Sequence, residues 1–308
     1  MYFLNEEEKK LLLRRILPQA RQRDIAQDLR GWNWDKPPMS PIYDQIKLGV
    51  AEVANTYCPS NRDLYLRRVM GIKMPVNRAM MEGGLLHDML CRLIIAVKRV
   101  IYEHGAGSLN QLASLDRNEF FNIPNTVLKI LSPEDSNAMK AKMEILWEYE
   151  YHNIFNRLQN VLTVQPHIGP DALVALALPV TVEQKLNGSF LGLSTHLSVD
   201  AFLFSEPMVV DIKFGLKQKF HHLSITGYAL VMESLYEYPI NVGCIVYPSF
   251  SGNRLAIERD FLFIDDELRQ WFIEERDERM RMIHEEIDPG LAQQCPEICS
   301  FWHECHPK

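Results

Sequence analysis

The sequence predicts an α/β protein, a mixed sheet flanked by helices. Two changes of texture point there. Residues up to about 178 read as helices and loops, and residues 182–264 switch to short strand-like runs interrupted by one helix. Residues 265–287 then return to helix, ahead of a tail rich in cysteine.

Taken in order, residues 5–30 are charged and helical in pattern. GWNWDKPPMSP (31–41) carries three prolines and predicts a boundary or an extended linker. From Ile42 to about Glu103 the pattern is mostly helical. Leu86, Met89, Leu90, Leu93, Val97, Val100 and Ile101 recur at three- and four-residue spacing, which marks an amphipathic helix. Residues 107–178 read as further helix and loop without evident chemistry. VEQKLNGSFLGL places Asn187-Gly188 between two short runs, a hairpin signal. LSVDAFLF, the turn SEP, and MVVDIKFG read as two strands, 218–236 as helix, and 241–248 and 254–264 as later strands. DDELRQWFIEERDERMRMIHEEI (265–287) is a charged helix opening with acids, which suits the positive end of its dipole.

The bulk composition narrows the class. The chain has 308 residues, 47% of them hydrophobic, enough for a substantial core. No apolar run approaches the ~18 residues of a membrane span, and MYFLNEEEKKLLLRRILPQ breaks its apolar residues with charges, unlike a secretory signal. The expected location is therefore cytoplasmic, with no membrane partner. A formal net charge of −7 argues against a protein that coats nucleic acid non-specifically, while a nuclease with acidic metal ligands stays compatible with it. Three of the six cysteines sit in the tail CPEICSFWHECHPK (295–308), and clustered cysteines in a cytosolic chain suggest metal or catalysis rather than disulfides.

The stretch THLSVDAFLFSEPMVVDIKFG (195–215) carries the clearest chemistry. Strand alternation projects Asp211 and Lys213 to one side, and a short turn can bring Asp200 of the preceding strand beside Asp211. Carboxylates on apolar strands are costly unless paired or bound to metal. Two acids beside a lysine suit metal-assisted phosphodiester hydrolysis: hard oxygen ligands hold Mg²⁺ or Mn²⁺, the backbone carbonyl of Ile212 adds a possible ligand, and the lysine orients water or stabilises developing charge. The plainer alternative is a surface ion pair between Asp211 and Lys213, with Asp200 capping a turn. MMEGGLLHDML (80–90) adds His87 one helical turn after Gly83, either as a metal ligand or as a satisfied core histidine. Cys91 and Cys244 read as buried core thiols.

Gly83-x-x-x-His87, an aspartate-bearing strand, Asp211-x-Lys213 and a helix with Tyr228 together resemble the RecB-like branch of the PD-(D/E)xK nucleases. That resemblance implies a restriction-endonuclease-like sheet, with His87, Asp200 and Asp211 on the metal and Lys213 assisting the attacking water. Glu183 stands where such proteins often carry another acid. Ser224 occupies the place of the family's glutamine, four residues before Tyr228. Lys217, Lys219, His221, His222, Arg67 and Arg68 are candidate phosphate contacts beside Tyr228, with ion pairing or a solvated helix start as alternatives.

ANTYCPSNRDLYLRRVMGIKMPVNRAMMEGGLLH (54–87) further resembles the CRISPR-associated RecB-like exonucleases of the Cas-four family, and the long extension and insertion are similar to its archaeal type I-A variant. That family implies a [4Fe–4S] cluster on Cys58, Cys295, Cys299 and Cys305, here with three rather than two residues between Cys295 and Cys299. It implies an exonuclease acting on single-stranded DNA ends, trimming DNA for spacer acquisition alongside CRISPR integrase proteins. The corresponding organisation is a helical N-terminal region (1–106), a helical insertion (107–180), a nuclease core (181–264) and a C-terminal helix with the cysteine tail (265–308). Two other readings stay open: a non-catalytic DNA-binding scaffold, and a zinc protein using Cys295, Cys299, Cys305 and His303 or His306.

Overall fold

The computed structural model describes residues 1–75, 77–295 and 299–306. Five strands form one mixed sheet in sequence order: β1 (Val180–Leu186), β2 (Leu197–Leu203), β3 (Met208–Ile212), β4 (Val242–Ser251) and β5 (Arg254–Phe263). All neighbours are antiparallel except β3 and β4. The parallel pair requires a crossover, which the helix His221–Tyr236 supplies. The α/β expectation holds.

Each face of the sheet buries a separate apolar cluster. One gathers the helix Arg78–His104, the long helix Pro133–Val164 and the N-terminal residues against Met208, Val210 and Ile212 of β3. The other gathers His221–Tyr236 and Asp266–His284 against Val209 and Ile245. Val209 lying opposite Val210 is the strand alternation of β3 made visible.

Local signals explain the helix ends. Asn77 caps Arg78–His104 by accepting Ala79 N–H, and the helix stops at Gly105, whose φ of 52° a side chain would resist. Its apolar stripe, Leu86 through Ile101, is buried as the spacing predicts, except that Val100 is only half-buried. Ser132 caps Pro133–Val164 through Asp135 N–H, with proline at the first helical position.

Two expectations are corrected. Asn187-Gly188 does not form a two-residue hairpin: residues 187–196 make a longer connection containing a short 3₁₀ turn, Ser189–Leu191. Gly188 has φ −92° and serves close packing instead, since a Cβ there would sit 2.7 Å from both Leu193 Cβ and Leu197 Cδ1. The proline-rich segment 31–41 is not a free linker. Met39 is fully buried, and the Arg276 guanidinium donates to the carbonyls of Pro38, Met39, Ser40 and Leu191.

The charged helix Asp266–His284 hides three arginines: Arg269, Arg276 and Arg279 are each at most 1% exposed. Arg269 makes a two-pronged pair with Glu233, at 2.7 and 2.9 Å, and Glu233 also accepts from Arg30, Gly31 N–H and Ile240 N–H. These donors replace the water that the carboxylate loses on burial.

Candidate active site and cysteine cluster

β1 and β2 pair in one register from Val180↔Leu203 to Leu186↔Leu197, but Glu183 and Asp200, directly opposite each other, do not pair. Glu183 has φ 52°, a left-handed conformation that costs a non-glycine residue about 1–3 kcal/mol. Both strands change faces here. Leu197 and Val199 pack in the second cluster whereas Ala201 and Leu203 pack in the first; Val180 packs in the first and Leu186 in the second. The break frees both acids from the ordinary alternation. Asp200 Oδ2 accepts Ile212 N–H at 3.0 Å, in place of a ladder bond, and Glu183 turns toward the helix that carries His87.

The acids, the histidine and the lysine converge. His87 Nε2 lies 2.6 Å from Glu183 Oε1 and 3.7 Å from Asp200 Oδ1. Asp200 and Asp211 are within hydrogen-bonding reach of each other. Lys213 Nζ stands 2.8 Å from Asp211 Oδ2, yet off the hydrogen-bonding direction, so this buried oxygen has an ion-pair partner and no hydrogen bond. Such an oxygen suits a cation. Ile212 engages Asp200 through its N–H.

The electrostatics follow from crowding acids in a poorly hydrated place. Burial, then the charge of Asp211, pushes the Asp200 carboxyl up to about 7. Burial disfavours a charged His87, but the Cys91 sulfur, Asp200 and Glu183 outweigh it and lift the imidazole to about 10. Burial likewise opposes the Lys213 ammonium, and Asp211 and Asp200 overcome it, so its pKa is raised. Tyr228 is raised by burial and by Asp211, Asp200 and Glu183, which keeps its hydroxyl protonated beside the acids.

One group was not legible as a site residue. Cys91, read as a core thiol, is buried but holds its sulfur 3.4 Å from His87 Nε2 and 3.5 Å from Tyr2 Oη. The usable signal was its position four residues after His87, on the same helical face. His221, a candidate phosphate contact in the sequence, is 2% exposed and lies between Tyr57 Oη (3.3 Å) and Tyr247 Oη (3.0 Å), and burial and Lys213 depress it to about 4. Cys244 is a core thiol, as expected.

Of the candidate phosphate contacts, Lys217 pairs with Glu258 (3.2 Å) and Asp260 (3.1 Å), and Arg67 pairs with Glu52 (3.3 Å). Lys219 is exposed.

The tail returns to the segment around Cys58. Arg62 makes a two-pronged pair with Asp288 and reaches the Cys305 sulfur, and Ser60 Oγ donates to Gly290 O at 2.9 Å. Burial, then the neighbouring thiols Cys299, Cys58 and Cys305, raises Cys295; burial, with Cys58 and Cys305 among its neighbours, raises Cys299. The four sulfurs thus lie within electrostatic reach of one another, a donor set that fits an iron–sulfur cluster. His306 stacks on Trp302 at 4.0 Å. The three residues between Cys295 and Cys299 lie outside the described residues, and with them the unusual spacing.

A family model described as CRISPR-associated exonuclease Csa1 matches residues 1–308. A Saccharolobus solfataricus protein named CRISPR-associated exonuclease Csa1 is 32% identical over 307 residues, covering 99% of this chain and 100% of that one. A Thermoproteus tenax protein of the same name is 29% identical over 294 residues, covering 96% of each.

Proposed function

Because the chain belongs to the CRISPR-associated exonuclease Csa1 family, we propose that it is a Mg²⁺- or Mn²⁺-dependent exonuclease that degrades single-stranded DNA ends, trimming DNA for spacer acquisition beside the integrase proteins. The observation that carries the reading is the meeting of Asp200, Asp211, Lys213 and His87, with an Asp211 oxygen buried and free of hydrogen bonds. Adjacent strands presenting Asp200 and Asp211-x-Lys213 agree with a PD-(D/E)xK core.

Asp200, Asp211 and His87 would hold the ion, with Glu183 against His87, and the ion would supply a bound water and neutralise phosphate charge. Lys213 keeps its proton beside Asp211 and is placed to orient that water or to stabilise charge on the phosphate. Tyr228, protonated beside the acids, can donate to a phosphate oxygen.

Cys58, Cys295, Cys299 and Cys305 would carry a [4Fe–4S] cluster that fastens the helical region to the tail. Four sulfurs around one tetrahedral zinc, bound at about 2.3 Å, lie closer together than these do. Among the described residues the group with three donor atoms within 4.8 Å of one another is His87, Cys91 and Glu183, not the cysteines. This spacing favours a larger cluster over zinc.

The test uses purified anaerobic protein and end-labelled single-stranded DNA with Mn²⁺ or Mg²⁺. Asp211→Ala and Lys213→Ala should each lower cleavage by at least about 10²-fold, the scale on which one charge-stabilising group acts. Cleavage that survives Asp211→Ala overturns the mechanism; DNA binding without cleavage by the native protein points to a scaffold. Iron and sulfide analysis tests the cluster separately.

A further inference from the structure

His87 and Cys91 are one helical turn apart, and both side chains reach the same side of the helix Arg78–His104. Glu183 meets them from β1. The three donor atoms lie within 4.8 Å of one another, with His87 Nε2 at 2.6 Å from Glu183 Oε1 and 3.4 Å from Cys91 Sγ. The nitrogen–sulfur separation suits two ligands of one small tetrahedral ion, and the His87–Glu183 hydrogen bond opens to about 3.3 Å when the ion enters between them.

The supports behind the donors are in place. Ser198 Oγ (2.6 Å) and Lys185 Nζ (3.2 Å) both donate to Glu183 Oε2, which orients the carboxylate and leaves Oε1 toward His87. Tyr2, 1% exposed, stands 3.5 Å from the sulfur on its buried side. Partners of this kind fix ligand orientation in metal sites.

A thiolate is a poor ligand for Mg²⁺ and a good one for Zn²⁺. We propose that His87, Cys91 and Glu183 form a zinc site that shares its histidine with the catalytic cation, so that zinc inhibits the nuclease. Zinc displaces both the thiol proton of Cys91 and the proton on His87 Nε2 to solvent and binds one nitrogen, one sulfur and one oxygen, leaving the fourth position to water. His87 then points at zinc and is withdrawn from Asp200 and Asp211. The inhibition rests on the nuclease reading above; the zinc site itself does not.

Zn²⁺ alone is titrated into native protein and into Cys91→Ser, in competition with a chromophoric chelator. The cysteine cluster is common to both proteins, so the difference between them reports this site. The native protein should hold one more tight zinc equivalent. Cys91→Ser should lose affinity there by more than the roughly 10–100-fold that outer partners alone cost. Glu183→Gln, altered on the strand rather than the helix, should lose the same equivalent and carries the test if Cys91→Ser does not fold. Equal zinc binding by all three overturns the proposal. In Mn²⁺-dependent cleavage, with each protein normalised to its own zinc-free rate, half-inhibition of Cys91→Ser should need at least about 10-fold more zinc. An unchanged zinc response overturns the inhibitory role. If no protein cleaves DNA while the binding difference appears, the nuclease reading falls and the zinc site stands.

Discussion

Asp200→Asn should make the metal-free protein more stable while abolishing cleavage. Asparagine keeps an oxygen for Ile212 N–H and removes a charge held beside Asp211 in a poorly hydrated place. The sign follows from proton linkage. In the unfolded chain Asp200 ionises near 3.8, and in the folded chain only at about 7. Between these values the unfolded state binds fewer protons, so stability falls as pH rises, and the full cost is present above about pH 7. At 1.36 kcal/mol per pH unit that cost is at most about 4 kcal/mol. His87 moves the other way. Its raised pKa contributes stability below about 6.5 that is lost as pH climbs toward 10, and the variant removes one of the carboxylates behind it. Because Glu183 and Cys91 remain beside His87, we expect a net gain of about 1–3 kcal/mol near pH 8, shrinking to nothing near pH 4. Urea melts in a chelator should show a midpoint about 0.3–1 M higher near pH 8, taking a slope of about 3 kcal/mol/M. A pH-independent gain, or a loss near pH 8, would refute the reasoning.

Glu233→Gln strands the Arg30 and Arg269 guanidiniums around a neutral buried side chain, and urea melts should show a loss of about 3–5 kcal/mol. Gly31→Ala drives a Cβ against the Leu230 carbonyl and to 2.7 Å from Glu233 Cβ; thermal denaturation should report a loss of about 1–3 kcal/mol or more. Cys299→Ala should speed proteolysis of residues 58–68 while the Arg62–Asp288 and Ser60–Gly290 bonds limit the loosening; an unchanged digestion rate, with full stability and full cleavage, would remove the fastening role.

What the sequence disclosed were features that repeat along the chain or sit close within it. The stripe from Leu86 to Ile101 and the two strands bearing Asp200 and Asp211 were legible because periodicities of 3.6 and 2 follow from backbone geometry. Hidden features depend on partners distant in sequence or on a local break in the period. Arg269, Arg276 and Arg279 read as solvated charges because Glu233, the Met39 carbonyl and Asn61, which accept their hydrogen bonds from outside the helix, lie far away in sequence. The left-handed turn at Glu183 had no glycine to announce it, and its strand reads as ordinary. Gly188 misled because an Asn-Gly pair signals a tight turn only when the glycine adopts positive φ, and this one is needed for its missing side chain.

The arginine anchors also bear on the order in which the chain can fold. Arg269 and Arg276 bond carbonyls that lie 236–240 positions earlier, in the segment that Met39 closes. At a synthesis rate of about 5–20 residues per second, that segment waits roughly 10–50 s on a ribosome before its partners exist. Until then its carbonyls face water and the surface beneath Met39 stays open. Contacts this remote slow folding, because the chain closes a very long loop before any bond rewards it. The helix Asp266–His284 is therefore a late-arriving brace, and nascent chains stalled before residue 266 should be held by chaperones or removed by proteases.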